Sequence, residues 1–571
     1  MTARGSHRAG LRALGLAGRG FALLLAIFAS ANVRAEPSLH ALLMQADEQL
    51  SAWDIAGARA LLTQLEARAH AAPETEWLRG RVAFEEGNYD VAAKAFESAK
   101  AQGVGIPSID EDLRLAKNAG EEVRGAPVIE SAHFLFRAKA EKDRILAPYA
   151  IDALEKAYSA LTADLGYQPD FKIRIEIYDS AKALARVSPL TVEDIKGSGT
   201  IALCKYNRLM VTSPRALMRG YPWLDTVSHE FVHFLVTHKG RNTVPIWLQE
   251  GLAKFLETRW RGEPGKSIEP EAAQLLVQAA KKHELVTFAE MHPSMAKLHP
   301  QERAALAFAE VEAAMRMLYQ RGGQTALSEL VSAMAAGFSD ERAVAQAYGK
   351  SFEQFEADWR ADIAKPRTPV DVGAGKPHLK HELVFREDAK SKGGKEDDAG
   401  ATPDVKDSSA KKSSRLGDIF FARGRWSAAA DEYGKARTRM LELHEENERL
   451  LRRLGFSLLE EKRRPEAIDV LQAAVKLDRE DSGAQLLLAN ALLLANRPQD
   501  ALAPIQAAVE IDPFDPRVHK FWADAAEALH DEPVHTREAN ALAVLYGRNP
   551  SGQSAPPSSS DASSRESKDA R

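Results

Sequence analysis

Hydrophobic positions recur along this chain with more than one period. From 38 to 104 they fall at helical spacing in an Ala-rich stretch. There Ile55, Ala58, Leu62 and Leu65 are matched 34 residues later by Tyr89, Ala92, Phe96 and Ala99. Between 128 and 215 the period drops to two. His133-Phe-Leu-Phe-Arg137 and Phe171-Lys-Ile-Arg-Ile-Glu-Ile-Tyr178 alternate as half-buried strands do. The segments 200–206 and 208–212 predict two more strands across a turn at Asn207. An amphipathic helix over 148–165 and a short one over 180–187 separate the strands. At 225–257 the helical period returns. Val227, Phe231, Phe234 and Leu235 form one stripe, Gly240 and Asn242 end that helix, and Pro245 suits the first turn of a second. Trp247, Leu248, Leu252, Phe255 and Leu256 give the second helix an apolar face. The span 266–365 predicts further helices at 305–319, 325–335 and 352–363, broken at Gly322-Gly323 and Gly337. After a polar stretch, Ala467, Leu471 and Ala474 recur as Ala501, Ile505 and Ala508, again 34 residues apart.

The 34-residue period resembles the tetratricopeptide (TPR) repeat, a helix–turn–helix unit that stacks into a solenoid. This gives all-α TPR segments at 36–125 and 415–547, the second with a degenerate unit at 516–547 as a cap. A generic helical hairpin is the alternative for the first. Such arrays offer a concave surface that binds peptides or partner proteins. The span 366–414 is rich in Lys, Asp, Gly and Ser and reads as a flexible charged linker, and 548–571 as a Ser-rich disordered tail. At 571 residues the chain is too long for one core.

The net charge of −5 and the lack of a basic stripe give no case for nucleic acid. At the N-terminus, Arg4, Arg8, Arg12 and Arg19 precede an apolar run at 21–29 and a small-x-Ala site at Val33-Arg-Ala35. Residues 1–35 therefore read as a secretory signal peptide, with an uncleaved anchor as the alternative. The expected location is periplasmic or secreted, with no transmembrane segment after cleavage. The one cysteine, Cys204, cannot form an internal disulfide and reads as a small buried apolar residue.

His229, Glu230 and His233 form an H-E-x-x-H pattern on the helix described above. Residues four apart share a helix face, and here that face lies opposite the apolar stripe. Two imidazoles so placed can close on one zinc ion, with Glu230 beside them as a proton acceptor. Glu250 on the next helix is the candidate third ligand, and Glu257 shares its face. Three other His-Glu pairs serve as controls: the fourth residues after His283, His381 and His444 are Thr287, Phe385 and Glu448, so none repeats the pattern.

The combination resembles the gluzincin metallopeptidases, closest to peptidase MA-like domains whose second helix reads W-L-x-E-G-x-A. Trp247, Leu248, Glu250, Gly251 and Ala253 match it. The resemblance implies an α+β zincin-like metallopeptidase core over 126–365: a small mixed sheet, the H-E-x-x-H helix and a helical second half. It implies one zinc per chain on His229, His233 and Glu250, Glu230 as general base, and Glu257 as a carboxylate orienting one His ring. It also implies that 199–213 contains an edge strand that pairs with extended substrate, an ordinary core hairpin being the alternative. Lys254 stands where thermolysin-type enzymes have Asp, and Phe308 where relatives often have a Tyr. Tyr319, Tyr206 and His238 are the remaining candidates for steadying an oxyanion.

The expected function is an exported zinc metallopeptidase that cleaves peptide bonds with a zinc-activated water, its repeats recruiting protein substrates or partners. An exported TPR scaffold with a structural or inactive peptidase-like domain is the alternative. A metal-dependent hydrolase acting on a non-peptide bond is a third reading.

Overall fold

The chain is described by a computed structural model covering residues 37–264, 268–292, 294, 295, 298, 301–365, 383–391 and 405–548. The signal peptide read at 1–35, much of the linker span and the tail beyond 548 lie outside the described residues. Five helices come first: α1 (Leu39–Ser51), α2 (Ile55–Ala69), α3 (Pro73–Glu85), α4 (Tyr89–Ala101) and α5 (Ile109–Val123). Ala58, Leu62, Leu65, Ala92, Phe96 and Ala99 are all buried, so the 34-residue period is the seam between paired helices.

A five-stranded mixed sheet follows, built from β1 (Val128–Glu130), β2 (Phe134–Ala138), β3 (Ile173–Tyr178), β4 (Ala202–Lys205) and β5 (Arg208–Thr212). Between them lie α6 (Ala147–Leu165), α7 (Ala181–Val187) and α8 (Val192–Ser198). The strand order is β1-β2-β3-β5-β4, with β2, β3 and β5 parallel and both outer strands antiparallel. Tyr206 and Asn207 take φ of 56° and 51°, as a two-residue type I′ hairpin turn requires. Strand β3 departs from expectation. Its alternation predicts one wet face, yet all six residues are buried. The polar face is covered by the N-terminal repeats: the Tyr89 hydroxyl donates to Glu176 at 2.6 Å, and Arg174 donates to the Glu85 carbonyl at 2.5 Å. Sequence period reports which side chains are polar, and here those polar groups find partners on another segment.

On the apolar side of the sheet lies α9 (Trp223–Lys239), with Phe231 edge-on to Phe134 at 5.3 Å between ring centroids. Val227, Phe231, Phe234 and Leu235 are buried, as their stripe predicts. Next come α10 (Ile246–Leu256), α11 (Pro270–Lys282), α12 (Gln301–Ala335), α13 (Asp340–Tyr348) and α14 (Phe352–Ile363). The expected break at Gly322-Gly323 is a kink inside α12, where Gly323 leaves helical geometry at φ 61° and ψ −150°.

The span read as a flexible linker is not uniform. Phe385 is buried, Met218 N–H donates to the Val384 carbonyl at 2.9 Å, and Arg386 bonds the carbonyls of Arg215 and Met218. The helix that follows, α15 (Arg386–Ser391), sets Asp388 against Lys196 at 2.7 Å. One aromatic among charges anchors this segment to the sheet-bearing domain. Beyond it, the C-terminal repeats begin earlier than 415. They comprise α16 (Ser408–Ala422), α17 (Trp426–Glu442), α18 (Glu448–Glu460), α19 (Arg464–Leu477), α20 (Ser482–Leu494), α21 (Pro498–Val509), α22 (Pro516–Ala528) and α23 (Glu532–Leu545). The Asp407 side chain caps α16 by accepting from Ser409 and Ala410. The last pair packs on α6, where the Tyr149 hydroxyl donates to Glu538 at 2.8 Å and His519 meets the same carboxylate at 2.7 Å. Among the described residues, no helix is long and apolar enough to cross a membrane.

Candidate metal centre

Helix α9 supplies two of the grouped side chains and α10 the third. The apolar stripe of α9 is spent on the sheet and α6, which turns His229 and His233 to the opposite side. Their Nε2 atoms stand 3.1 Å apart. The Glu250 Oε2 atom lies 3.5 Å from the first and 3.6 Å from the second. Among the described residues this is the one group of three or more His, Cys, Asp or Glu side chains with ligand atoms mutually close enough for a metal.

The donor set and spacing fit a tetrahedral ion. Ligand bonds of 2.0–2.1 Å place tetrahedral ligand atoms about 3.3 Å apart, and the three distances bracket that value. Two imidazole nitrogens and one carboxylate oxygen are the donors of a catalytic zinc site with one position left open. The charges around them agree. Burial by itself lowers the His229 imidazole, but the carboxylates of Glu250 and Glu257 outweigh it and push it up to about 10. Burial alone raises Glu250, yet the two imidazoles hold it well below the usual carboxylate range. The two carboxylates thus favour positive charge at His229, and the imidazoles favour the Glu250 carboxylate.

Glu257 lies beside the His229 ring. His229 donates from Nδ1 to Glu257 Oε2 at 3.0 Å, which fixes the ring and leaves Nε2 facing Glu250. Lys254, the departure from thermolysin-type sequences, pairs with the other oxygen of Glu257. It therefore holds the carboxylate that holds the histidine.

Glu230 is buried one residue after His229. Burial raises its pKa, the two imidazoles partly offset this, and Glu250 adds to the rise. The backbone of Cys204 lies near enough to favour its charged form. The Cys204 side chain is half-buried against the core, as a packing residue, while its backbone on β4 runs beside Glu230. The alternation of 200–206 and the turn at Asn207 were the signal for the hairpin, but nothing local says which helix the hairpin faces.

Strand β4 ends the sheet order. Thr212 N–H donates to the Ile201 carbonyl, and the β4–β5 register then puts the ladder bonds on Leu203/Met210 and Lys205/Arg208. The backbone groups of Ala202 and Cys204 therefore point to the open edge, beside Glu230.

The three oxyanion candidates are engaged elsewhere. His238 Nε2 meets Asn207 at 2.9 Å in an aromatic cluster with Trp53. The Tyr319 hydroxyl donates to Glu263 at 3.1 Å. Tyr206 sits at the hairpin tip against Phe84 of α3. Phe308 is half-buried against the core.

Gly251 explains why the helix bearing Glu250 carries glycine next. A Cβ there would lie 2.9 Å from Met315 Cγ and 3.1 Å from the Val311 carbonyl oxygen, so α10 and α12 approach too closely for a side chain.

In comparison with known proteins, residues 153–365 match the family model of the Peptidase MA superfamily. Two tetratricopeptide-repeat models match residues 43–103 and 458–525. No curated protein matches the chain.

Proposed function

From a chain that carries a Peptidase MA superfamily domain with tetratricopeptide repeats on both sides, we propose an exported zinc-dependent metallopeptidase acting on protein substrates. The observation that carries this reading is the convergence of His229, His233 and Glu250, with Glu230 buried beside them.

His229, His233 and Glu250 hold the ion, one per chain. When bound, zinc supplies Lewis acidity, making water a better proton donor and polarising a carbonyl oxygen. The remaining work belongs to the chain. Its open β4 edge takes an extended substrate backbone as an added strand, fixing the scissile amide near Glu230. The Glu230 carboxylate accepts a proton from the attacking water and passes it to the leaving amide nitrogen. Glu257 and Lys254 keep the His229 ring aimed. The repeats recruit a protein substrate or partner, and the N-terminal segment at 1–35 directs export to the periplasm or beyond.

The test compares wild type with Glu230→Gln on an unfolded protein substrate, with zinc content measured in both. Cleavage by wild type and none by the zinc-loaded variant supports the reading. Two zinc-loaded proteins that both leave peptide, ester and glycan-linked substrates intact would favour the scaffold reading instead.

A further inference from the structure

The C-terminal repeats reach the start of the metal-binding helix. Tyr221 N–H donates to the Ile511 carbonyl at 3.1 Å, and Trp223 N–H to the Glu510 carbonyl at 3.1 Å. The Trp223 indole N–H donates to the Val509 carbonyl at 3.0 Å, from a side chain that is fully buried. Gly220, at φ 70°, makes the approach possible, because a Cβ there would stand 2.1 Å from the Ile511 carbonyl oxygen. These residues are the lead-in and first turn of α9.

A charged chain runs inward from the same contact. Glu510 meets Arg261 at 2.7 Å. Arg261 pairs with Asp225, and the Trp260 indole donates to that carboxylate at 2.9 Å. Asp225 lies one turn before His229 on the same side of α9. Arg261 lies on the short helical turn just after α10, four residues beyond Glu257. It therefore joins the beginning of α9 to the end of α10, the two helices that bring the three proposed ligands. Asp225 and Glu257 are like charges close enough to oppose each other. Arg261 neutralises the first as Lys254 neutralises the second.

Resting on the metal-centre reading above, we propose that Glu510, Arg261 and Asp225 form a positioning relay through which the C-terminal repeats set how His229 faces Glu250. Glu510 touches neither substrate nor ion, and it acts by fixing Arg261. The consequence is regulatory: a protein that engages the repeats and disturbs α21 also disturbs the ligand geometry. The dock itself does not depend on Glu510, because Tyr149 and Glu538 anchor the last repeat to α6 independently. Removing the Glu510 charge thus tests the relay without detaching the array.

The experiment uses the full chain, with zinc affinity measured by chelator competition and ligand geometry by the visible absorption of the cobalt(II) form. Glu510→Gln and Arg261→Gln should each weaken zinc binding, by about tenfold for the latter, the lower end for groups that support ligands. The double variant should lose no more than Arg261→Gln alone, since the two residues act in series. Gly220→Ala should weaken zinc binding by a separate route, parting the backbone contact. Each should change the cobalt spectrum, and Glu510→Gln should do so with little change in metal-free thermal unfolding. If wild type binds zinc and Glu510→Gln matches it in affinity and spectrum, the relay is wrong while the metal centre stands, whatever Gly220→Ala does. If wild type binds no zinc, the metal-centre reading fails and the relay with it.

Discussion

Replacing Gly251 with alanine should move Glu250 without altering any ligand. Alanine is the better helix former by about 1 kcal/mol, so an exposed position would gain stability. Here the new Cβ would stand 2.9 Å from Met315 Cγ and 3.1 Å from the Val311 carbonyl oxygen. Met315 can turn aside, because its side chain is flexible. The Val311 oxygen belongs to the α12 backbone and cannot. The Val311 contact lies in the 3.0–3.4 Å range, so α10 must retreat by a few tenths of an ångström. Metal–ligand distances tolerate about 0.2 Å, so a shift of that size in Glu250 reaches the ion. The overpacking costs about 1–3 kcal/mol, against which the propensity gain is partial compensation. The expected result is zinc affinity reduced by about tenfold, a loss comparable to that of a ligand-supporting group. Thermal unfolding of the metal-free protein should fall modestly. Chelator competition and unfolding of wild type and Gly251→Ala measure both. Wild-type zinc affinity with unchanged or raised unfolding temperature would refute the argument that α12 sets the position of Glu250.

Two further predictions can be tested, one from the structure and one from the sequence. Glu310 is fully buried; one carboxylate oxygen accepts from Val286 N–H at 2.9 Å, and the other has no hydrogen-bond partner among the described residues. Burial pushes its pKa up to about 8. The folded state then holds a proton that the unfolded state releases near 4.5, so stability should fall as pH rises between those values and level off above. Glu310→Gln should flatten that decline, leaving the variant more stable at pH 8 by a few kcal/mol at most; parallel pH profiles for the two proteins would contradict this. If residues 1–35 are a signal peptide, the mature N-terminus should map near Glu36, and an intact Met1 on exported protein would remove that reading.

The candidate site was legible where chemistry has a local spacing. His229, Glu230 and His233 share a helix because of an i, i+4 pattern, and the apolar stripe of Val227, Phe231, Phe234 and Leu235 says which side they occupy. Glu250 and Glu257 were legible from the second helix. The 34-residue period marked the repeats, because packing at a helix–helix seam repeats with the unit. Other features had no local signature. The polar face of β3 looks solvated until Tyr89 and Glu85 of a distant segment cover it. Gly220 and Ile511 meet across almost 300 residues, and a backbone–backbone contact leaves no side-chain pattern in either segment. Phe385 docks from within a stretch whose composition is that of a linker, since a single aromatic residue barely changes composition. Lys254 was visible as a departure from thermolysin-type sequences. In the structure it pairs with Glu257, which in turn meets His229.

The central claim is that His229, His233 and Glu250 hold one zinc ion. X-ray absorption at the zinc edge, with metal stoichiometry on the same full-length sample and on His233→Ala, tests it most directly. The account predicts about one zinc per chain bound by nitrogen and oxygen at about 2.0–2.1 Å, with imidazole scattering from two rings, and loss of the metal in His233→Ala. A chain without zinc, or one whose zinc persists unchanged in His233→Ala, would contradict it.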